Sequence, residues 1–139
     1  MEFIARASTL MRDADLQRYV CINNLPDWCA SIDKVIASQG EKGEIYSLWG
    51  QFRIHREMIR DGVRFTLPTC PNALQWTVTA GPSGSKEVVI HCTINREEHD
   101  PDFIESIEHF VADWKAGIEA GKGRPRAGQT PGNCEPWYG

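Results

Sequence analysis

Between residues 45 and 94 the chain alternates apolar and polar residues in steps of two, and each run ends at a turn signal. That period belongs to strands with one buried face rather than to helices. IYSLWGQFRIHREMI, residues 45 to 59, separates into Tyr46, Leu48, Gly50, Phe52, Ile54, Arg56 and Met58 in one row and Ile45, Ser47, Trp49, Gln51, Arg53, His55 and Glu57 in the other. Read as one strand from about 44 to 59, the first row is the core face and the second faces outward. Asp61–Gly62 is a hairpin signal. An even-numbered loop there keeps Ile54 and Met58 on the same face as Val63, Phe65 and Leu67. Past the break at residues 68–72, ALQWTVTA turns Leu74, Trp76 and Val78 inward. Past GPSGS, Val88, Ile90, Cys92 and Ile94 follow them.

Helices flank this meander. Asn24 as a cap, Pro26 in the first turn, and Trp28, Ile32, Val35 and Ile36 at helical spacing predict a helix over 26–38, stopped by Gly40. A second begins at the Asp100–Pro101 cap. It carries Phe103, Ile107, Phe110, Val111, Trp114 and Ile118 as one stripe and ends at Gly121. The first 24 residues read two ways. Phe3, Ala7, Leu10 and Met11 suit one face of a short helix, and Tyr19, Val20, Cys21 and Ile22 suit a short strand or more helix.

The expected fold is therefore α+β: an antiparallel meander of four to five strands with two main helices on one face. That is a two-layer sandwich whose sheet can curve to grip the C-terminal helix. Residues 1–121 form one domain. Residues 122–139 form a Gly/Pro-rich tail, expected to dock through Trp137 and Tyr138 on the domain or on a second subunit.

Composition narrows the function classes. A net charge of −4 over 139 residues argues against nucleic acid or an anionic membrane held by bulk charge. No run approaches the roughly 18 apolar residues of a membrane span, and no secretory leader is visible. The five cysteines, Cys21, Cys29, Cys70, Cys92 and Cys134, are odd in number and form no CxxC. Free thiols in a reducing cytoplasm are the expectation, with no metal and no cofactor.

Candidate site residues come from the outward rows and one oddity. Trp49 is a large aromatic in a polar row with Arg53 and His55 along it. Such a row is either a contact surface or the wet side of a sheet. Arg56 falls in the core-facing row. It either lies at the sheet's edge with its head in water or stands in a pocket where it binds an anion. His55 and His91 sit three strands apart in a simple meander, roughly 14 Å, too far to share a metal. Cys70 could meet His55 as a nucleophile pair, although a turn-filling residue is the simpler account. Phosphate loops, nucleophile elbows and zinc-protease signatures are absent.

Two functions follow. The first is a small cytoplasmic binding or interaction protein acting as a homodimer through Trp49, Arg53 and His55 or through Trp137. The second is a fold with a pocket between sheet and helices, lined by Trp76, Phe52, Phe65 and Trp114 and addressed by Arg56. That pocket would take a small apolar or anionic molecule, with room for modest acid–base or Cys–His chemistry. No catalytic residue is assigned, and binding is favoured over enzymatic activity.

Overall fold

A computed structural model of the chain describes residues 1–82, 84–95 and 99–124. Its order is β1 (Glu2–Ser8), α1 (Asp13–Tyr19), a 3-10 turn (Ile22–Asn24), α2 (Leu25–Trp28), β2 (Ile32–Gln39), β3 (Lys42–Ser47), β4 (Gly50–Ile59), β5 (Gly62–Thr66), β6 (Gln75–Ala80), β7 (Glu87–Thr93) and α3 (Pro101–Ala120). All seven strands pair antiparallel in one sheet, ordered β1-β7-β6-β5-β4-β3-β2. The fold class is α+β, as expected, but the sheet has seven strands rather than four or five.

The extra strands are β1, β2 and the division of the run from 44 to 59 into β3 and β4. Residues 1–11 do not form a helical face: Phe3 and Ala7 lie in β1, paired along β7 from Glu2↔Thr93 to Ser8↔Glu87. Of the two readings of residues 19–22, a short strand or more helix, the helical one holds in part: Tyr19 ends α1 and Ile22 opens the 3-10 turn. The helix expected over 26–38 stops after one turn at Trp28, and Ile32, Val35 and Ile36 belong to β2. β2 is an edge strand with register shifts between Ile32 and Lys34 and between Val35 and Ala37. Such bulges break the two-residue period and leave apolar residues three and four apart, which mimics a helix.

The run from 44 to 59 is a hairpin rather than one strand. Ser47 pairs with Gly50, and Leu48–Trp49 form the turn between β3 and β4. Each paired couple then sums to an odd number, so odd positions of β3 share a face with even positions of β4. Ile45 is buried opposite Phe52, whereas Tyr46 and Leu48, expected inside, are exposed. Beyond the turn the expected parity holds. Ile54, Val63, Phe65, Leu67, Leu74, Trp76, Val78, Val88, Ile90, Cys92 and Ile94 are all buried. Met58 shares their row but overhangs at the hairpin end and is exposed. The β4–β5 loop has two residues, and Gly62 is required after it: a Cβ there would stand 2.0 Å from the Val78 carbonyl oxygen.

α3 follows its sequence signals closely. The Asp100 carboxylate accepts from the Asp102 N–H at 2.8 Å, and Gly121 ends the helix at φ 66°. Ile107, Phe110, Val111, Trp114 and Ile118 face the sheet. Gly117 has a Cβ position 1.7 Å from the Trp28 carbonyl oxygen, so α3 rests directly on the end of α2. Trp28, Phe65, Trp76, Phe110 and Trp114 are fully buried between the layers, each contributing roughly 1.5–3 kcal/mol of hydrophobic stabilisation. Among the described residues no helix is long and apolar enough to cross a membrane.

Candidate functional site

The space between α3 and the sheet holds a connected aromatic layer. Phe65 stacks on Trp76 with centroids 5.3 Å apart, and both touch Trp114, at 6.0 and 6.2 Å. Trp76 meets Phe110 edge-on at 4.9 Å, and Phe110 meets Trp49 at 4.9 Å. The structure thus joins three of the four aromatics expected to line a pocket, Trp76, Phe65 and Trp114. Phe52, the fourth, is half-buried at the side. That space is filled by these rings rather than open: the three surface clefts described below all lie outside it.

Two polar atoms inside the layer are unsatisfied. Among the described residues the indole Nε1–H groups of Trp76 and Trp114 find no acceptor, although both side chains are fully buried. A buried donor without a partner costs about 1–3 kcal/mol. The other buried indole, Trp28, donates to the Tyr19 carbonyl at 3.1 Å.

Trp49 is not in an outward strand row. It sits on the β3–β4 turn and folds over α3. Its Nε1 donates to Ser106 Oγ at 2.8 Å, and its ring lies 6.3 Å from Phe103. Ser106 in turn donates to the Phe103 carbonyl at 2.5 Å. The aromatic that looked like an exposed contact is covered by the C-terminal helix.

Arg56 fits neither sequence alternative. Its guanidinium is buried, not in water at an edge, and it faces α1 rather than the aromatic layer. Nε donates to the Val20 carbonyl and Nη1 to Glu41 Oε1, each at 2.8 Å, while Nη2 donates to the Gln17 carbonyl. The cation closes the C-terminal end of α1, where carbonyls outnumber helical donors. Sequence offered one signal for this role: an arginine in an apolar row has to be paired.

Arg53 and His55 remain where the alternation put them, exposed on the outer face. His55 pairs with Thr66 and borders a cleft of about 340 Å³ with Lys42, Glu57, Arg64 and Gln75. His55 and His91 are three strands apart, on β4 and β7. Cys70 packs partly buried against the core whereas His55 is exposed, and among the described residues no hydrogen bond joins them as a nucleophile pair. Trp137 and Tyr138 lie outside the described residues.

The second cleft, about 470 Å³, runs along α3 beside β2 and the β3–β4 turn. Asp113 Oδ2 accepts from Ser31 Oγ at 2.5 Å and stands 3.4 Å from His109 Nε2. Serine and histidine bind the same carboxylate rather than each other, so the cluster lacks the nucleophile–base contact of acyl transfer. It ties the start of β2 to α3. A third cleft, about 770 Å³, lies between the start of α1 and the β6–β7 connection. Among the described residues no group of three or more His, Cys, Asp or Glu side chains is placed to hold a metal.

Cys29, Cys70 and Cys92 are free thiols, whereas Cys21 is disulfide-bonded, which corrects the expectation that every cysteine is free. Burial pushes the Cys29 and Cys92 thiols up to about 12, so neither supplies a thiolate near neutral pH.

No family model matches the chain, and no curated protein matches it. Solved structures do. The protein XoxI from Bacillus cereus superimposes with a TM-score of 0.66 at 13% identity, over 87% of this chain and 94% of its own. A START superfamily protein from Mycobacterium smegmatis gives 0.58 at 10% identity, over 86% and 97%. The di-domain ARO/CYC protein StfQ of the steffimycin biosynthetic pathway gives 0.56 at 9% identity, over 89% of this chain and 46% of its own. At these identities the likeness is one of fold.

Proposed function

We propose that this protein binds a small, neutral, largely apolar molecule between its sheet and α3, with Trp76 and Trp114 donating hydrogen bonds to acceptors on the ligand. The unpaired indole N–H groups carry this reading: two fixed donors in an otherwise apolar layer suit a carbonyl or ether oxygen far better than a hydrocarbon. The fold shared with a START superfamily protein and an ARO/CYC protein supports a small-molecule site under the helix. Of the apolar and anionic ligands that the sequence allowed, the neutral one is favoured. Arg56 is the one buried charged side chain among the described residues, and it is committed to α1. Binding requires the rings to part, so the ligand replaces ring–ring contacts and supplies the missing acceptors.

The test is titration with prodan, a neutral planar naphthalene that bears one carbonyl and reports its surroundings by emission colour. Wild type shifts the emission to the blue with saturation. Trp76→Phe or Trp114→Phe weakens binding about fivefold, the equivalent of one lost hydrogen bond. Absence of saturable binding, or equal affinity in all three proteins, overturns the proposal.

Self-association is the second reading. Among the described residues β2 is an edge strand, and Ile36 on it is exposed, as are Tyr46 and Leu48. A homodimer formed there, or across the outer face at Arg53 and His55, predicts twice the monomer mass in light scattering; a monomer at high micromolar concentration refutes it. The proposed compartment is the cytoplasm. The free thiols support it, the Cys21 disulfide counts against it, and imaging of the tagged chain decides.

A further inference from the structure

We infer that Trp49 is the gate through which a ligand reaches the aromatic layer and that Ser106 is its latch. The inference rests on the proposed binding mode: if a molecule sits among Trp76, Phe65 and Trp114, some element has to move to admit it, because all three side chains are fully buried.

The rings of the layer differ in what holds them. Phe103, Phe110 and Trp114 stand on α3, Phe65 on β5 and Trp76 on β6, so helix or sheet bonding fixes their backbones. Trp49 stands on a two-residue turn. Its side chain is tied to α3 by one hydrogen bond, Nε1 to Ser106 Oγ at 2.8 Å, and by ring contacts with Phe103 and Phe110. The next residue, Gly50, has φ +106°, a conformation that side-chain-bearing residues rarely adopt, and a Cβ placed on it would touch nothing within 4 Å. Among the described residues the turn therefore has open space beside Gly50 into which the indole can swing about its own side-chain bonds.

Its base is firm by contrast. Ser47 Oγ accepts from the Trp49 N–H at 3.2 Å and donates to the Gly50 carbonyl at 3.0 Å. These bonds preserve the turn while the indole swings away. Behind Trp49 the rings form a file, with steps of 4.9 Å to Phe110 and 4.9 Å on to Trp76. Swinging the indole out uncovers Phe110, and a planar ring passing along Phe110 lies one step from the Trp76 donor, behind the position to which the indole returns. Ser106 suits a latch because its hydroxyl accepts from Trp49 while donating to the Phe103 carbonyl, so it is held in place whether the gate is open or closed.

A gate and a lining residue differ in kinetics. A gate that closes again over bound ligand slows arrival and departure alike and leaves the equilibrium little changed; a lining residue changes departure and affinity. Stopped-flow prodan binding to the full chain distinguishes them. Ser106→Ala removes the latch and leaves both rings, and Trp49→Phe keeps a ring without the donor. Each is expected to raise the association and dissociation rates together, by about fivefold, with the dissociation constant within about twofold of wild type. Trp49→Ala goes further in the same direction. Prodan binding with unchanged rates in Ser106→Ala and Trp49→Phe overturns the gate and leaves the binding site standing. So does weaker affinity through dissociation alone, which makes Trp49 a wall of the site. Failure of wild type and all variants to bind overturns both.

Discussion

Arg56 gives the sharpest test of what holds α1 to the sheet. Its guanidinium donates to the Gln17 and Val20 carbonyls at the end of the helix and to Glu41. In Arg56→Met the stem still fills its space, but two carbonyls lose a buried charged donor. Hydrogen bonds of that kind contribute about 1.5–3 kcal/mol each, so the pair is worth about 3–6. The Glu41 side chain is 46% exposed, which leaves the ion pair itself at about 1 kcal/mol or less. For a chain of this length 1 kcal/mol moves the melting temperature by about 2–4 °C, so Arg56→Met is expected to melt about 12 °C below wild type. Glu41→Gln should stay within about 3 °C. Thermal melts by far-UV circular dichroism, supported by urea titration, measure both. The reasoning fails if Arg56→Met loses under 1 kcal/mol, or if Glu41→Gln loses as much as Arg56→Met, since charge pairing rather than helix closure would then be the cause.

Two other perturbations follow from the same structure. Gly117→Ala drives a methyl to within 1.7 Å of the Trp28 carbonyl oxygen; the urea midpoint should fall by the equivalent of about 3 kcal/mol, and an unchanged midpoint would mean α3 does not rest on α2. The Cys29 and Cys92 thiols stand at about 12 in the fold against an ordinary 9.0. The fold holds their neutral form, so their contribution is complete below pH 9 and is lost as pH rises from 9 toward 12, at up to about 1.4 kcal/mol per pH unit for each thiol. Urea midpoints between pH 9 and 10.5 should fall more steeply in wild type than in Cys29→Ala/Cys92→Ala, and equal slopes would refute the assignment.

Much of the architecture was legible where local signals and burial agree. Asp100, Pro101 and Gly121 punctuate α3, and its stripe is the buried face. β5, β6 and β7 alternate cleanly because both their neighbours are regular strands. Legibility failed where tertiary context overrides the pattern. Bulges in β2 give Ile32, Val35 and Ile36 a helical spacing. The Leu48–Trp49 turn carries no Asn-Gly or Asp-Gly mark, and an unmarked turn inside an alternating run inverts every assignment before it. Trp49 stands out in its polar row, but its partners on α3 lie more than fifty residues along the chain. The periods of β6 and α3 put Trp76 and Trp114 in the core, where both are buried. That their N–H groups lack acceptors depends on the packing of three elements and has no trace in either period.

The strand order has a kinetic consequence. Each strand from β2 to β6 pairs with its successor, so the sheet can grow as a chain of hairpins with short loops to close. β1 is the exception: Glu2 meets Thr93, and closing that loop requires nearly the whole strand-forming region to be in place first. β1 should therefore dock last and detach first. Until it does, β7 offers its bonding edge to any strand in reach, so crowded or slow refolding should favour exchange of first strands between chains.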